Sequence, residues 1–147
     1  MPRQEPLDWM DFRDDENEQT KLALTAILAL PEAQQELVIG EILALRERAE
    51  MGLIPFGDED DPDLKPIRSD PDVYELRWRF GSLLLRQYHA EPPELSNALV
   101  DLHFHRKDVS SNDDATISDL QDIEISQAQL RYDGGRSRLW SSKEGTA

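Results

Sequence analysis

The sequence predicts an α+β fold: N-terminal helices packed on a small antiparallel β-sheet of three to four strands, followed by a C-terminal helix. Two observations carry this. Between residues 72 and 105, three segments alternate apolar and polar side chains with a period of two and are separated by turn-forming residues, the pattern of a half-buried antiparallel meander. On either side, residues 18–51 and 117–132 repeat apolar side chains at spacings of three and four, the helical period.

Taken in order, residues 1–17 are acidic with Trp9, Met10 and Phe12 interspersed, and read as a flexible tail. The alternative is an acidic-aromatic segment that docks on a partner or on the chain's own basic face. Residues 18–30 form a first helix through Lys21, Leu22, Leu24, Ile27, Leu28 and Leu30, with Asn17 as N-cap. Pro31 ends it and can open the next helix. That second helix runs to about Met51 on Leu37, Val38, Ile42, Leu45, Ala49 and Met51, with Gly52 as C-cap. Residues 55–64, PFGDEDDPDL, are a loop.

The sheet follows. Residues 65–68 are a short edge strand. In residues 72–80, Tyr74, Leu76, Trp78 and Phe80 share one face, and Glu75, Arg77 and Arg79 the other. Gly81-Ser82 turns into a strand over residues 83–89. A third strand over 98–105 places Val100, Leu102 and Phe104 opposite Asp101, His103 and His105. Residues 108–116 are a loop. The last helix spans 117–132 with Leu120, Ile123, Ala128 and Leu130, capped by Thr116 or Ser118 and ended by Gly134-Gly135. The division is therefore a tail over 1–17, one domain over 18–133, and a flexible tail over 134–147.

The chain has 147 residues and no cysteine, which excludes disulfides and thiol chemistry and allows a cytoplasmic location. Its longest uncharged apolar run, Leu22 to Pro31, is too short to span a bilayer, and no signal peptide is visible; no membrane association is expected. The net charge of −15 is unevenly spread. Residues 1–67 hold 6 Lys/Arg against 17 Asp/Glu, residues 68–107 hold 6 of each, and residues 108–147 hold 4 against 8. So acidic a chain is not a general nucleic-acid binder. Its balanced middle holds all three histidines, His89, His103 and His105, and leaves room for a local cationic surface.

That surface is the polar side of the sheet. One face of the meander is apolar and packs on the N-terminal helices; the other collects Arg77, Arg79, Asp101, His103 and His105, with Arg106 and Lys107 just beyond. The face of Arg86 depends on register. Arginine binds phosphate in a bidentate way, and histidine moves protons near neutral pH. RNA supplies its own 2′-hydroxyl nucleophile, so no serine or cysteine is required. The bland alternative is a solvated outer face. A lesser one is a zinc or iron site on Asp101, His103 and His105 with His89. No metal or other cofactor is assigned.

Four stretches in order resemble the RelE/HigB superfamily of bacterial and phage toxins, in its HigB-like branch: VYELRW at Val73–Trp78, LLLRQYH at Leu83–His89, LVDLHFHRKD at Leu99–Asp108, and IEISQAQLRYD at Ile123–Asp133. Tyr74, Glu75, Leu76 and Arg77 match the first family strand, Arg86 with Tyr88 or His89 the second, Leu102, His103 and Lys107 the third, and Ala128 and Arg131 the last helix. The resemblance implies a RelE-like fold and ribosome-dependent mRNA endonuclease activity, with mRNA on the ribosome as substrate. It also implies a cognate antitoxin, of helix-turn-helix type, as partner. Carried over, Arg77 and Arg86 bind phosphate, as Arg79, Arg106 and Arg131 are placed to do; His103, His105 and Lys107, with Arg86, are the catalytic candidates. Arg131 and Tyr132 complete the cleft. The departures are the single Lys107 where the family pairs lysines, SSNDDAT at 110–116, and the acidic balance. They suit two further readings: a catalytically weak or inactive module on this fold that engages an antitoxin or host factor, or an acidic N-terminal segment that covers the basic face as a brake. A gyrase-directed or metal-dependent relative is the remaining alternative.

Overall fold

A computed structural model describes residues 8–12, 18–51, 64–66, 72–95, 97–107 and 113–140. The expected caps Asn17 and Gly52 and most of the acidic loop lie outside them. The elements run β1 (Asp8–Asp11), α1 (Glu18–Leu28), α2 (Glu32–Glu50), β2 (Leu64–Pro66), β3 (Val73–Phe80), β4 (Leu83–Ala90), β5 (Ala98–Arg106) and α3 (Asp114–Gly135), with a 3-10 turn at Arg136–Arg138. The α+β class and the C-terminal helix are as expected. The sheet is mixed rather than purely antiparallel, with strand order β1-β5-β4-β3-β2.

The antiparallel β3-β4-β5 meander forms its centre. Gly81, at φ +62°, turns β3 into β4 without the clash a Cβ brings in that region. The parallel strand is β1, on the edge of β5. Part of the segment expected to be a tail thus completes the sheet. Trp9 anchors it: its Nε1–H donates to the Arg46 carbonyl of α2 at 3.0 Å, and the Arg46 guanidinium lies 4.5 Å above its ring.

Helices cover both faces of the sheet. On one, Ala23 and Ile27 of α1 and Val38, Leu45 and Ala49 of α2 pack with Tyr74, Leu76, Trp78, Leu83, Leu85, Leu99 and Phe104. On the other, Ala128 and Tyr132 of α3 pack with Val73, Tyr88, Ala90, Val100 and Leu102, and Trp140 joins them. The expected face assignment of β5 therefore needs correction. Tyr88 pairs with His103 but His89 pairs with Asp101, so Leu102 is the extra residue of a β-bulge. The alternation breaks there. Val100 and Leu102 join the α3 side and Phe104 the α1–α2 side. Asp101 ends up 4.0 Å from Arg46 of α2, across the sheet from His103.

Two helix assignments also change. Leu37 and Met51, expected to face the core, are 61% and 47% exposed. In α3, Asp113 is the N-cap, accepting from the Ala115 amide at 3.1 Å and the Thr116 hydroxyl at 2.8 Å. The helix continues through Gly134 to Gly135, and residues 134–140 belong to the ordered fold. Leu139 and Trp140 take left-handed backbone, φ 51° and 57°, which folds the chain back. Trp140 is then fully buried, its ring 5.2 Å from Tyr132 and its Nε1–H donating to the Tyr132 carbonyl at 2.8 Å. A Cβ on Gly135 would collide with Trp140 and Phe12, so this close approach requires glycine.

α1 is tied to β5 by the buried Thr20 hydroxyl, which donates to the Phe104 carbonyl at 2.8 Å. Replacing Thr20 with valine keeps shape and removes the donor. Urea unfolding is expected to show a loss of about 1 kcal/mol with an unchanged m-value.

Candidate functional site

The side of the sheet predicted to be an open polar face lies under α3. It carries an organised set of ionisable side chains. Strand pairing puts Arg77 opposite Arg86, Arg86 opposite His105, and Tyr88 opposite His103. Five predicted site residues, Arg77, Arg86, His103, His105 and Arg131, are brought together here. Their setting differs from the expectation of a solvated surface: Arg86 is 2% exposed, His103 0% and His105 1%.

The cations are held by a carboxylate the sequence argument did not select. Glu75 Oε1 lies 3.0 Å from Arg86 Nε and 3.3 Å from Arg77 Nε. Glu75 Oε2 accepts from Gln121 Nε2 of α3 at 3.3 Å. Arg86 Nη1 donates to the carbonyls of Leu85 at 2.9 Å and Trp78 at 3.4 Å.

The imidazoles are held as well. Arg131 Nη1 donates to the Leu102 carbonyl and to His103 Nδ1, both at 2.9 Å. A guanidinium has no acceptor, so His103 Nδ1 carries no proton. Its Nε2–H donates to Glu124 Oε2 at 2.5 Å. For His105, Nδ1 lies 3.1 Å from the Arg106 carbonyl, which can only accept, so Nδ1 carries the proton. Nε2 then accepts from the Tyr88 hydroxyl at 3.1 Å. Burial lowers the His105 pKa to about 4 against the opposing pull of Glu124, and the Arg86 guanidinium adds to the lowering. Burial also raises the Tyr88 phenol well above its ordinary value, with Glu75 adding to it. Tyr88, His103 and His105 stack, with ring centroids 5.4–6.2 Å apart.

His105 is thus neutral at physiological pH, and both nitrogens of each ring have partners inside the fold. Neither presents a proton or a lone pair outward. At one end the network meets a pocket of about 160 Å³ lined by His105, Arg106, Lys107, Gln121 and Glu124 among others. Arg106 is exposed and Lys107 half-buried, and these two remain at its rim. Arg79 is exposed on β3.

His89 stands apart from the other two. It packs between Trp9, at 5.2 Å edge-on, and Tyr74, stacked at 5.8 Å, on the α1–α2 side. With Asp101 on that side too, the four residues of the metal alternative do not converge. Among the described residues no group of three or more His, Asp or Glu is placed to hold a metal ion.

Glu75, Gln121 and Glu124 are the site residues that sequence reasoning missed. A signal existed for the helix: Gln121, Glu124, Ala128, Tyr132 and Gly135 recur at three and four and form its inward face, whereas Leu120, Ile123 and Leu130 point out. No described helix is long and apolar enough to cross a membrane. Scans against protein-family models, curated proteins and solved structures find no match to this chain.

Proposed function

We propose that this chain is a protein-binding module with a RelE/HigB-like sequence pattern, and that it does not cut RNA with the histidines that pattern singles out. One observation supports this above the others: Arg86, His103 and His105 are buried under α3 with their polar atoms engaged inside the fold. A phosphodiester needs cations and proton donors within about 3 Å of its oxygens. Reaching these would require lifting α3 and breaking the Glu75, Glu124 and Arg131 contacts. The acidic balance of the chain points the same way, because it repels RNA at long range. The antitoxin or host factor implied by the resemblance remains the kind of partner such a module would engage.

A second reading rests on the pocket that His105 shares with Arg106, Lys107 and Glu124. There a phosphate could meet two cations without opening the helix. The test is direct. Purified chain is incubated with translating ribosomes, and mRNA 5′ ends are mapped. No new ends are expected. New ends that disappear when Lys107 is replaced by alanine would overturn the binding reading and establish the pocket as a nuclease site.

A further inference from the structure

We propose that the outward face of α2 is a docking surface for a basic amphipathic helix. This deepens the binding reading above and rests on it.

α2 buries Val38, Leu45 and Ala49 against the sheet, yet carries a second apolar face on its far side. Leu37, Ile39 and Leu43 are 61%, 44% and 58% exposed. At 100° per residue, Glu36, Gly40, Leu43 and Glu47 fall in one row along the helix, with Leu37 and Ile39 on either side of Gly40. The row is apolar in the middle and acidic at both ends. Exposed leucines cost solubility, and clustered ones mark interaction surfaces. Glycine in a helix interior costs stability relative to alanine. Among the described residues a Cβ at Gly40 would meet nothing within 4 Å, so none of them demands glycine there. An incoming helix that approaches closely would.

Charge identifies the occupant. The exposed ionisable side chains of α2 are Glu32, Glu36, Glu41, Glu47 and Arg48, four acids to one base. A second copy of this chain would set those glutamates against its own, within a net charge of −15 per copy. The acidic stretch at 52–63 has the same sign. A helix with leucines at spacings of three, four and seven, flanked by Lys or Arg, satisfies both the apolar stripe and its acidic ends.

The full-length chain is titrated into a fluorescein-labelled peptide of about 18 residues, long enough for five helical turns, built from Leu at those spacings and Lys elsewhere. The reference peptide carries Glu in place of Lys. Anisotropy is expected to show binding of the Lys peptide only, weakened several-fold between roughly 50 and 300 mM salt. The double variant Leu37→Glu/Leu43→Glu adds negative charge, so pure electrostatics would tighten binding. A loss of about tenfold or more is expected instead. Circular dichroism should show its fold intact, because both side chains point to solvent. Gly40→Gln is expected to raise Tm through helix propensity while weakening the peptide, opposite effects that a purely structural role for Gly40 would not produce. Undiminished binding to the double variant, equal binding of the Glu peptide, or a dimer that the double variant abolishes in sedimentation would each overturn the proposal. RNA cleavage is a separate readout from the other side of the sheet, so failure here and failure of the non-nuclease reading are distinguishable.

Discussion

Replacing Glu75 with alanine is expected to destabilise the fold by about 3–5 kcal/mol, a large part of the stability of a domain this size. The reason is the position of one carboxylate between two guanidinium groups. Arg86 is 2% exposed, and its Nε faces Glu75 at 3.0 Å. Without that carboxylate a full positive charge stays buried beside the Trp78 and Leu85 carbonyls, whose partial charges offset little of it. Arg77 and Gln121 lose the same partner. Arg86→Met should cost less, because Glu75 then keeps Arg77, which is 17% exposed in its side chain. The double variant Glu75→Ala/Arg86→Met should recover much of the single-variant loss, since it removes both charges at once. Urea unfolding of the four proteins closes the cycle. Glu75→Ala within about 1 kcal/mol of the parent would mean that Arg86 reaches water, and would reopen the polar face as a binding surface.

The local elements were readable because their signals are local. Period-two alternation located β3, β4 and β5 to within a residue, and Pro31 separated α1 from α2. The failures are tertiary. β1 is four residues, DWMD; two aspartates flank the apolar pair, and only the free edge of β5 makes a strand of it. The bulge at Leu102 inserts one residue into one strand. Nothing in the alternation of 98–105 announces it, and it moves Asp101 across the sheet. Trp140 is buried only because the backbone reverses at Leu139, which no glycine signals.

The candidate site was legible as a set and illegible as an environment. Arg77, Arg86, His103, His105 and Arg131 do gather on one side of one sheet. What sequence could not supply was the cover. α3 was expected to bury Leu120, Ile123 and Leu130, which are 36%, 56% and 66% exposed; it buries Glu124 and Tyr132 and half-buries Gln121 instead. A polar sheet face met by a polar helix face hides its charges by pairing them, and hydrophobic periodicity is blind to that choice.

Acid should unfold this protein through its histidines before its carboxylates. Burial holds His105 at about 4 and His89 at about 3, both below the ordinary 6.5, and the nearby Arg46 lowers His89 further. In the unfolded chain both take up protons as pH falls through about 6.5; in the folded chain neither does. Their contribution to stability is therefore fully present above the unfolded pKa and lost as pH falls toward the folded values. At about 1.4 kcal/mol per unit for each group, the two together should cost on the order of 4 kcal/mol between roughly pH 7.5 and 5, a range in which ordinary carboxylates stay largely ionised. The urea midpoint measured across that range is the check. His89→Leu separates the two groups, because His89 packs between two aromatic rings and its Nδ1 has no hydrogen-bond partner among the described residues. An apolar replacement there loses no hydrogen bond at that nitrogen, and it should roughly halve the pH slope while leaving the neutral-pH stability within about 1.5 kcal/mol. A parent midpoint that stays flat from neutral pH to 5 would mean that these imidazoles accept protons inside the folded protein, which is the property a proton-transfer site requires and a packed one lacks.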